Sequence, residues 1–502
     1  MTMTKAQPTA PKTVEKWHRL SLVAVIFNIA RSIRQIIKQG LPSLMPLIVL
    51  IVSSDNKSSM ALYLGLAISG ALIVSAILQY LFFRYRLVDN KLLINEGVFK
   101  RQHRVIHFER IQNINIAQPF YFRPFALVAL MVDTAGANTE QANLAGISSH
   151  LADDIRDQIL KRQSELKVSP GENPTPAMAN SPSGQVLTSA SIGDLIRHGL
   201  ANNGIYLLFA LATGVYLQFH KIFDQWLTPE KMQMILGLFG DQLWQRVIVA
   251  IALIIGVFTV LMLLSIGAAI IRFYRYQLTL NDATLQRKSG LLNTHEESLN
   301  LTKIQAISRQ NNFIGALLQR ESLVFRQTSG SNPFIVPART VRQCEQLTAI
   351  MAPDAPTHIP TAAINRGYIR KTWLLKVWLP IIALSLPFTF KVSLWFIASW
   401  LLPLLFYPLV VRRWRKYRFG MRDGYGVISS GFIGNKQVLF ALFKVQRAVI
   451  SQSPIQRHNH LATLDIYLAS GRLTVPYMPI KLARQWFDLI YYHTETDPRP
   501  WF

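Results

Sequence analysis

The sequence predicts an α+β membrane protein in which one unit occurs three times, a transmembrane helical hairpin followed by a small antiparallel β domain that closes with a helix. Three observations predict this class. A short motif recurs three times, a pair of apolar segments precedes each occurrence, and half of the 502 residues are hydrophobic while only 16% are charged. A soluble chain of this length would need an unusually large core, so the composition favours a membrane protein.

The recurring motif is a basic residue, then Ile or Val, then Gln. A glycine lies fifteen residues before each Gln, and another lies twenty-four or twenty-five residues after it, a spacing that chance would not preserve. The motifs are Arg110-Ile111-Gln112, Lys303-Ile304-Gln305 and Lys444-Val445-Gln446, with Gly97, Gly290 and Gly431 before them and Gly136, Gly330 and Gly471 after them. Copies this long and this unevenly spaced indicate whole domains rather than the short units of a solenoid.

Six apolar segments predict six transmembrane helices, arranged as three hairpins that each precede one copy. The pairs are 41–52 with 61–83, 204–219 with 247–271, and 373–390 with 392–411. A spanning helix needs about 20 apolar residues, so these lengths are adequate or slightly short. For the two shortest segments, 41–52 and 204–219, a buried core helix or a re-entrant element is the alternative.

The positions of Lys and Arg predict the orientation. Basic residues flank the hairpins while the hairpin tips are nearly neutral, so both termini and all three β domains should be cytoplasmic. The polar start of the chain does not resemble a cleavable signal peptide. The single cysteine, Cys344, excludes an intramolecular disulfide, and together these signals predict a multi-pass protein of a bacterial inner membrane. Residues 17–38 could lie along the inner membrane surface or extend the first span.

Within each copy the apolar period becomes that of strands. Short β-hairpins are predicted to turn at Asp89-Asn90, Asn281-Asp282 and Asp423-Gly424. More strands follow, and an amphipathic helix closes each copy. Several antiparallel strands closed by one C-terminal helix are typical of a small pleckstrin-homology-like (PH-like) domain, in which Cys344 is expected to be a packing residue of the second closing helix.

The order of these features resembles the bacterial PH-domain membrane proteins of the YdbS and YdbT type, and the three copies resemble the larger, YdbT-like kind. The resemblance covers about Trp17 to Tyr492. It implies the fold and a family of largely unassigned biochemistry. It also implies a partner, since such proteins are often expected to work with a smaller, single-copy PH-domain membrane protein.

Composition changes along the chain predict the boundaries of nine segments. They are a polar tail (1–16), an interfacial segment with the first hairpin (17–83), the first PH-like domain (84–163), a flexible linker (164–190), the second hairpin (191–273), the second PH-like domain (274–351), a second linker (352–365), the third hairpin (366–416) and the third PH-like domain (417–496).

The sequence contains no recognised catalytic, phosphate-binding or paired-cysteine metal motif. His103 and His107 are four residues apart, but in a strand this spacing provides no third ligand, and solvated or hydrogen-bonded histidines are the favoured interpretation. We therefore predict a protein that is not an enzyme and that needs no cofactor or metal.

The basic balance suggests the ligand class. There are 53 Lys and Arg against 27 Asp and Glu, no nucleic-acid motif occurs, and the charges lie beside the apolar segments, so nucleic acid is not the expected partner. These residues either only orient the helices or also hold anionic lipid headgroups, at about 1 kcal/mol each. The repeated motif is likewise either a core and turn element or a shared binding surface. The candidate lipid- or partner-binding residues are Arg110, Gln112, Lys303, Gln305, Lys444, Gln446, Arg84, Arg86, Arg275, Arg412, Arg413 and Arg415.

The predicted function is that of a non-enzymatic inner-membrane scaffold or binding module. It would present three cytoplasmic PH-like domains to lipid headgroups, to a smaller PH-domain partner or to both, in support of envelope integrity or tolerance of membrane-active agents. The alternative is an accessory subunit of a transporter or lipid-translocating complex. Polar residues at bilayer depth would favour that alternative, and few are present.

Overall fold

The structure is a computed structural model that describes most of the three copies and part of the helices between them. The described residues are 17–25, 29, 57–88, 91–97, 101–108, 111–134, 142–165, 184–201, 234, 242–281, 283–327, 333–391, 399–432 and 434–499. They fall into two compact units, the first formed mainly by residues before Pro182 and the second mainly by residues from Ser183 onward.

The first unit contains copy 1, the copy that carries Gln112. A helix leads into six strands and a closing helix. These elements are α1 (Lys57–Phe82), β1 (Arg84–Val88), β2 (Lys91–Glu96), β3 (Gln102–His107), β4 (Ile111–Pro119), β5 (Leu127–Thr134), β6 (Ala142–Ser148) and α2 (Ser149–Glu165).

The strands of copy 1 form two antiparallel sheets. One has the order β1-β2-β3, and in the other β5 lies between β4 and β6. The outer edge of β4 is covered by a strand of the next copy, β10 (Asn293–Asn300), whose residues Asn293 to Glu297 pair with Pro119 to Asn115. Copy 1 therefore receives a strand from copy 2.

The second unit contains copies 2 and 3, which carry Gln305 and Gln446. Copy 2 comprises β7 (Gln185–Ser189), α3 (Ile192–Leu200), α4 (Leu243–Phe273), β8 (Gln277–Asn281), β9 (Thr284–Ser289), β10, β11 (Ile304–Asn311), α5 (Phe313–Leu317), β12 (Arg320–Gln327), β13 (Phe334–Thr340) and α6 (Val341–Met351). Copy 3 comprises β14 (Ala362–Ala363), α7 (Gly367–Trp373), α8 (Leu379–Lys391), α9 (Leu402–Lys416), β15 (Arg418–Arg422), β16 (Tyr425–Ser430), β17 (Asn435–Ala441), β18 (Val445–Ser451), α10 (Pro454–His458), β19 (Leu461–Leu468), β20 (Gly471–Pro479) and α11 (Ile480–Thr496).

Copies 2 and 3 share one sheet of seven strands. Its order is β13-β12-β11-β17-β16-β15-β14, so the third long strand of copy 3, β17, lies against β11 of copy 2. Ala306 pairs with Phe440 and Asn311 pairs with Asn435 in an antiparallel register. The last three strands of copy 3 form a separate sheet in the order β18-β19-β20.

Each copy has its own apolar core beneath its closing helix. Ile155, Cys344 and Trp486, each from a closing helix, lie in the cores of copies 1, 2 and 3 respectively, which confirms the predicted amphipathic helices. Ala306 of copy 2 packs in the core of copy 3, so the shared sheet joins the two copies by side-chain packing as well as by strand pairing. The predicted turn at Asp423-Gly424 is confirmed by backbone φ angles of 49° and 75°.

Three segments predicted to lie outside the β domains take part in them. His18 pairs with Tyr85, and Leu20 and Ala24 are buried in the core of copy 1, so residues 17–25 pack on the domain rather than along the membrane surface. Strands β7 and β14 fall in the predicted linkers and pair with β8 and β15. The reason is the same in each copy, since the chain covers the edge of the first long strand before it enters the helical hairpin.

An ion-pair cluster holds α3 against the strands of copy 2. Arg339, only 2% exposed, donates to Asp194 at 3.2 Å, and Arg320 approaches the same carboxylate at 3.3 Å. Burial alone would raise the pKa of Asp194, but hydrogen bonds from Ser191 and the charges of the two arginines hold it below its usual value. Nearby, His198 accepts a hydrogen bond from the backbone N–H of Ala338.

Among the described residues, one helical stretch, Ile251–Phe273 of α4, is long and apolar enough to cross a membrane. A shorter apolar stretch, Ile73–Phe82, ends α1. The predicted spans 41–52 and 204–219 lie outside the described residues. In the third hairpin, the indole N–H of Trp373 in α7 donates to the carbonyl of Pro403 near the start of α9, so α7 packs against α9.

Candidate functional site

The two ends of the third hairpin that adjoin the β domain of copy 3 in the chain, which we call its feet, carry a group of six exposed or half-buried cations. Three follow the apolar part of α9; of the other three, Arg366 is the N-cap of α7, and Arg370 and Lys371 lie in its last turn. We name this group the third-hairpin basic cluster, and its members are Arg366, Arg370, Lys371, Arg412, Arg413 and Arg415.

Aromatic side chains fix the cluster on the domain. The guanidinium of Arg366 lies 5.7 Å from the centre of the Trp414 ring, and the Lys371 ammonium lies 5.7 Å from the centre of the Tyr477 ring. The Trp414 indole N–H donates to the carbonyl of Ile364 at 2.8 Å. These contacts orient the cations through weak cation–π attraction while leaving their N–H groups available.

The cluster differs from several arginines of this unit that are paired with a carboxylate. Arg309, Arg339 and Arg472 are each paired with Asp or Glu. No member of the third-hairpin basic cluster forms a salt bridge with a described acidic residue. Six cations next to apolar helices, without a counter-charge in the part of the chain that the structure describes, form a surface suited to an anionic ligand.

The other two hairpins have smaller versions of this arrangement. Arg84 is exposed at the start of β1, and the guanidinium of Arg86 lies 5.0 Å from the centre of the Trp17 ring. Arg275 is exposed just after α4 and stacks at 5.7 Å on Tyr274.

The glutamine of the repeated motif occupies the same backbone position in all three copies, the extra residue of a β-bulge. The strand register skips it between Ile111 and Asn113, between Ile304 and Ala306, and between Val445 and Arg447. A bulge bends the strand and leaves one residue without a cross-strand partner. The repeat of the motif thus has a structural cause, because each copy bends its fourth strand at one place.

Lys444 is buried where copies 2 and 3 meet beside the paired strands β11 and β17. We call such a contact between copies a joint. Its ammonium donates to the carbonyls of Thr302 and Ile304, both at 2.6 Å, and the residue is only 8% exposed. Burial, and then the charge of Arg499, lower its pKa to about 8. Lys444 therefore ties copy 3 to copy 2 and is not a surface cation.

A cavity of about 310 Å³ lies beside Lys444, between copies 2 and 3 of the second unit. Its charged lining residues are already paired. Arg499 donates to Asp354 at 3.1 Å and to Asp497 at 2.7 Å, and Lys444 is held by backbone carbonyls. The cavity offers apolar walls and satisfied charges, which makes it part of the joint rather than an anion site.

The remaining motif residues divide between interior and surface. Gln305 is buried and Lys303 is half-buried, whereas Gln446 is exposed. Gln112 lies in β4, and Arg110 lies outside the described residues. Lys444 and Gln305 are therefore interior residues, and they do not form part of the predicted binding surface.

Two further glutamines also have structural partners. Gln118 donates to the carbonyl of Leu127, and Gln452 donates to the carbonyl of Leu461, so in copies 1 and 3 this residue fixes the start of the next strand. His103 and His107 both lie on strand β3, as the sequence predicts. The described residues contain no group of three or more His, Cys, Asp or Glu that could hold a metal ion.

Comparison with known proteins identifies the repeated domain. The sequence profile of the bacterial PH domain matches residues 36–163, 232–355 and 375–494, most of the chain. The chain belongs to the bacterial PH domain family. The three matched bacterial PH domains correspond to copies 1, 2 and 3, and each matched range also takes in helical residues that precede the strands.

One curated relative carries the word transmembrane in its name. The chain is 26% identical over 308 residues to the UPF0699 transmembrane protein YdbT of Bacillus subtilis (strain 168). The aligned part is 60% of this chain and 60% of the relative, so the chain spans well under the whole length of that protein. No solved structure matches the chain.

Sequence reasoning missed half of the third-hairpin basic cluster. Arg366, Arg370 and Lys371 stand in a basic run directly before the first apolar segment of the third hairpin, 373–390, and this run was the available signal. Their assembly with the α9 arginines depends on the packing of α7 against α9, which the linear pattern does not reveal.

Proposed function

We propose that the protein is a non-enzymatic scaffold of the bacterial inner membrane, whose six helices place three cytoplasmic bacterial PH domains against the anionic headgroups of the inner leaflet. The observation that carries the proposal is the third-hairpin basic cluster, six cations at the feet of two apolar helices that have no carboxylate partner among the described residues. Anionic lipid would supply the missing counter-charge.

The surface of the apolar helices supports the membrane part of the proposal. In α4, Leu253 is 64% exposed and Ile254 is 68% exposed, and in α9 Leu405 is 71% exposed. A core helix of a soluble protein would bury such side chains, whereas lipid tails cover them at no cost. With the basic feet on the cytoplasmic side, the positive-inside rule places both termini in the cytoplasm.

The size of the lipid effect follows from the number of charges. A cation near an anionic membrane surface contributes about 1 kcal/mol. Removing the three arginines of α9 should therefore weaken the binding of anionic lipid by about 3 kcal/mol, or about a hundredfold, at low ionic strength.

The experiment compares the lipids that co-purify with tagged protein from native membranes in mild detergent. The test variant carries Arg412→Gln, Arg413→Gln and Arg415→Gln. A matched control carries Arg457→Gln, Lys481→Gln and Arg484→Gln, which remove the same charge from exposed residues of α10 and α11. Mass spectrometry then measures the ratio of anionic to zwitterionic lipid retained by each protein.

We expect the α9 variant to lose its anionic lipid and the control to retain it. Equal loss in both variants would mean that only net charge matters, and no loss in either would contradict headgroup binding. The same purification tests the smaller PH-domain membrane partner that the family resemblance implies, since a stoichiometric co-purifying protein of that kind would add a partner-binding role to the scaffold. A role in envelope integrity or in tolerance of membrane-active agents belongs to the same proposal.

A further inference from the structure

The two joints between copies follow one rule. The fourth long strand of a copy is covered by the third long strand of the next copy, with β10 on β4 and β17 on β11. The described part of the chain contains a third long strand and a fourth long strand in each of the three copies. Among the described strands, the fourth strand of copy 3, β18, pairs only with β19, and the third strand of copy 1, β3, is the last strand of its sheet.

Burial along the fourth strands shows what a joint covers. The first five residues of β11, beginning at Ile304, are all buried. In β18 only the first residue, Val445, is buried, and the following residues are exposed or half-buried. The two strands have the same bulge and the same place in the fold, so the difference reflects the strand that covers β11. The edge of β18 is the surface that a joint would bury.

We propose that β18 of one molecule pairs with β3 of a second molecule of this protein, forming between chains the joint that the chain forms twice within itself. Such pairing is β-augmentation, in which an exposed strand edge receives a strand from a partner. Because donor and acceptor edges differ, the contact is heterologous, and it generates a closed ring or an open row in the plane of the membrane. The inference does not depend on lipid binding.

The register is fixed by the internal joints. In the second unit, Ile307 of β11 lies opposite Leu439 of β17. Gly97 and Gly431 precede the motif glutamines by the same distance, so Leu439 corresponds to Val105, and the matching bulges make Ile307 correspond to Ala448. Ala448 should therefore face Val105 of the second molecule.

The joint in the first unit gives the same answer independently. There Ile116 of β4 lies opposite Glu296 of β10. By the same correspondence Ile450 should face His103. This is the same register as Ala448 facing Val105, because the two pairs are two residues apart on antiparallel strands. Val105 also fits a covered position, since it is a β-branched apolar side chain that is 54% exposed in β3.

Disulfide cross-linking in native membranes tests the register. Full-length Ala448→Cys with one epitope tag is co-expressed with full-length Val105→Cys carrying another, and the membranes are oxidised. Directly opposed residues of antiparallel strands have Cβ atoms about 4.5–5.5 Å apart, so a small approach of the two strands brings them to the roughly 3.5–4.5 Å of a disulfide. The control pairs Ala448→Cys with Gln102→Cys, which lies three residues out of register and on the other face of β3. The native Cys344 is buried and common to all samples.

We expect dimers that carry both tags for Val105→Cys, at least tenfold more than for Gln102→Cys. Equal yields in the two pairs would overturn the register. A chain that carries both Ala448→Cys and Val105→Cys should give dimers and larger species, and a cross-link confined to single chains would overturn the intermolecular pairing. Wild-type chains with different tags should also co-purify without any cysteine change. Failure to do so, or capture of a different PH-domain protein instead, would overturn a second copy as the occupant.

Discussion

The joint between copies 2 and 3 predicts that one aromatic side chain stabilises both copies. Phe440 of β17 is 2% exposed, lies in the core of copy 3 and pairs with Ala306 of copy 2. Its ring lies directly over Gly426, because a Cβ built on that glycine would come within 2.5 Å of the ring carbon Cζ. Phe440→Ala should cost about 3–5 kcal/mol of unfolding free energy, the usual range for a buried aromatic residue.

Gly426 makes this prediction specific. Gly426→Ala alone should destabilise copy 3 by about 1–3 kcal/mol, because the new methyl group overlaps the Phe440 ring. In the Phe440→Ala background the same methyl group occupies the vacated space, so the double variant should be more stable than the sum of the single changes by about 2 kcal/mol. Phe432→Ala is the matched control, because Phe432 is largely exposed and should change stability by no more than about 0.5 kcal/mol.

Hydrogen–deuterium exchange of the detergent-solubilised protein measures the effect strand by strand. A loss of 3–5 kcal/mol should speed exchange in β17 by roughly two to three and a half orders of magnitude, and β11 should lose protection with it if the two strands open as one unit. Faster exchange in β17 with unchanged protection in β11 would refute a cooperative joint. Additive single and double variants would refute the packing of Phe440 on Gly426.

Three further predictions concern buried ionisable groups. The folded-state pKa of Lys444, about 8, lies below its unfolded value of about 10.4, so protein stability rises with pH between those values, and this group causes no pH dependence below pH 8. Relative to Lys444→Met, wild type should gain about 3 kcal/mol of unfolding free energy across that range in chemical denaturation. A pH-independent difference between the two proteins would contradict this. Burial raises the pKa of Cys344 to about 12, so N-ethylmaleimide should label it at pH 8 only after denaturation, and rapid labelling of the native protein would exclude its buried position. Asp194→Asn should cost about 3–5 kcal/mol of unfolding free energy, because it leaves the buried Arg339 without its carboxylate partner. Asp423→Asn, in an exposed ion pair, should cost at most about 1 kcal/mol. Equal melting temperatures for the two variants would contradict this prediction.

The sequence was sufficient for the parts of the fold that local patterns determine. The paired strands β15 and β16 place short runs with apolar residues on the two sides of an Asp-Gly turn, and the closing helices repeat apolar residues at helical spacing, so both could be predicted. Strand β14 has only two residues, and β7 follows a stretch rich in Pro, Ser and Gly. β14 is too short to show a period, and β7 continues directly from a polar stretch that predicts a linker, so the sequence indicates a linker at both places.

The joints between copies could not be predicted for a different reason. The pairing of β11 with β17 connects residues more than 120 positions apart, and its register is set by backbone geometry rather than by any local residue choice. The same distance hid the role of Lys444, because a lysine after an apolar hairpin is typical of an exposed position. Its two carbonyl partners, Thr302 and Ile304, belong to another copy.

The proposed function requires that the third-hairpin basic cluster holds anionic lipid. The most direct measurement is hydrogen–deuterium exchange of the protein in nanodiscs, first of zwitterionic lipid alone and then with phosphatidylglycerol added. The account predicts that anionic lipid slows exchange at residues 366–371 and 412–418 and leaves α11 (Ile480–Thr496) unchanged. Identical exchange in both lipids at those two segments would contradict it.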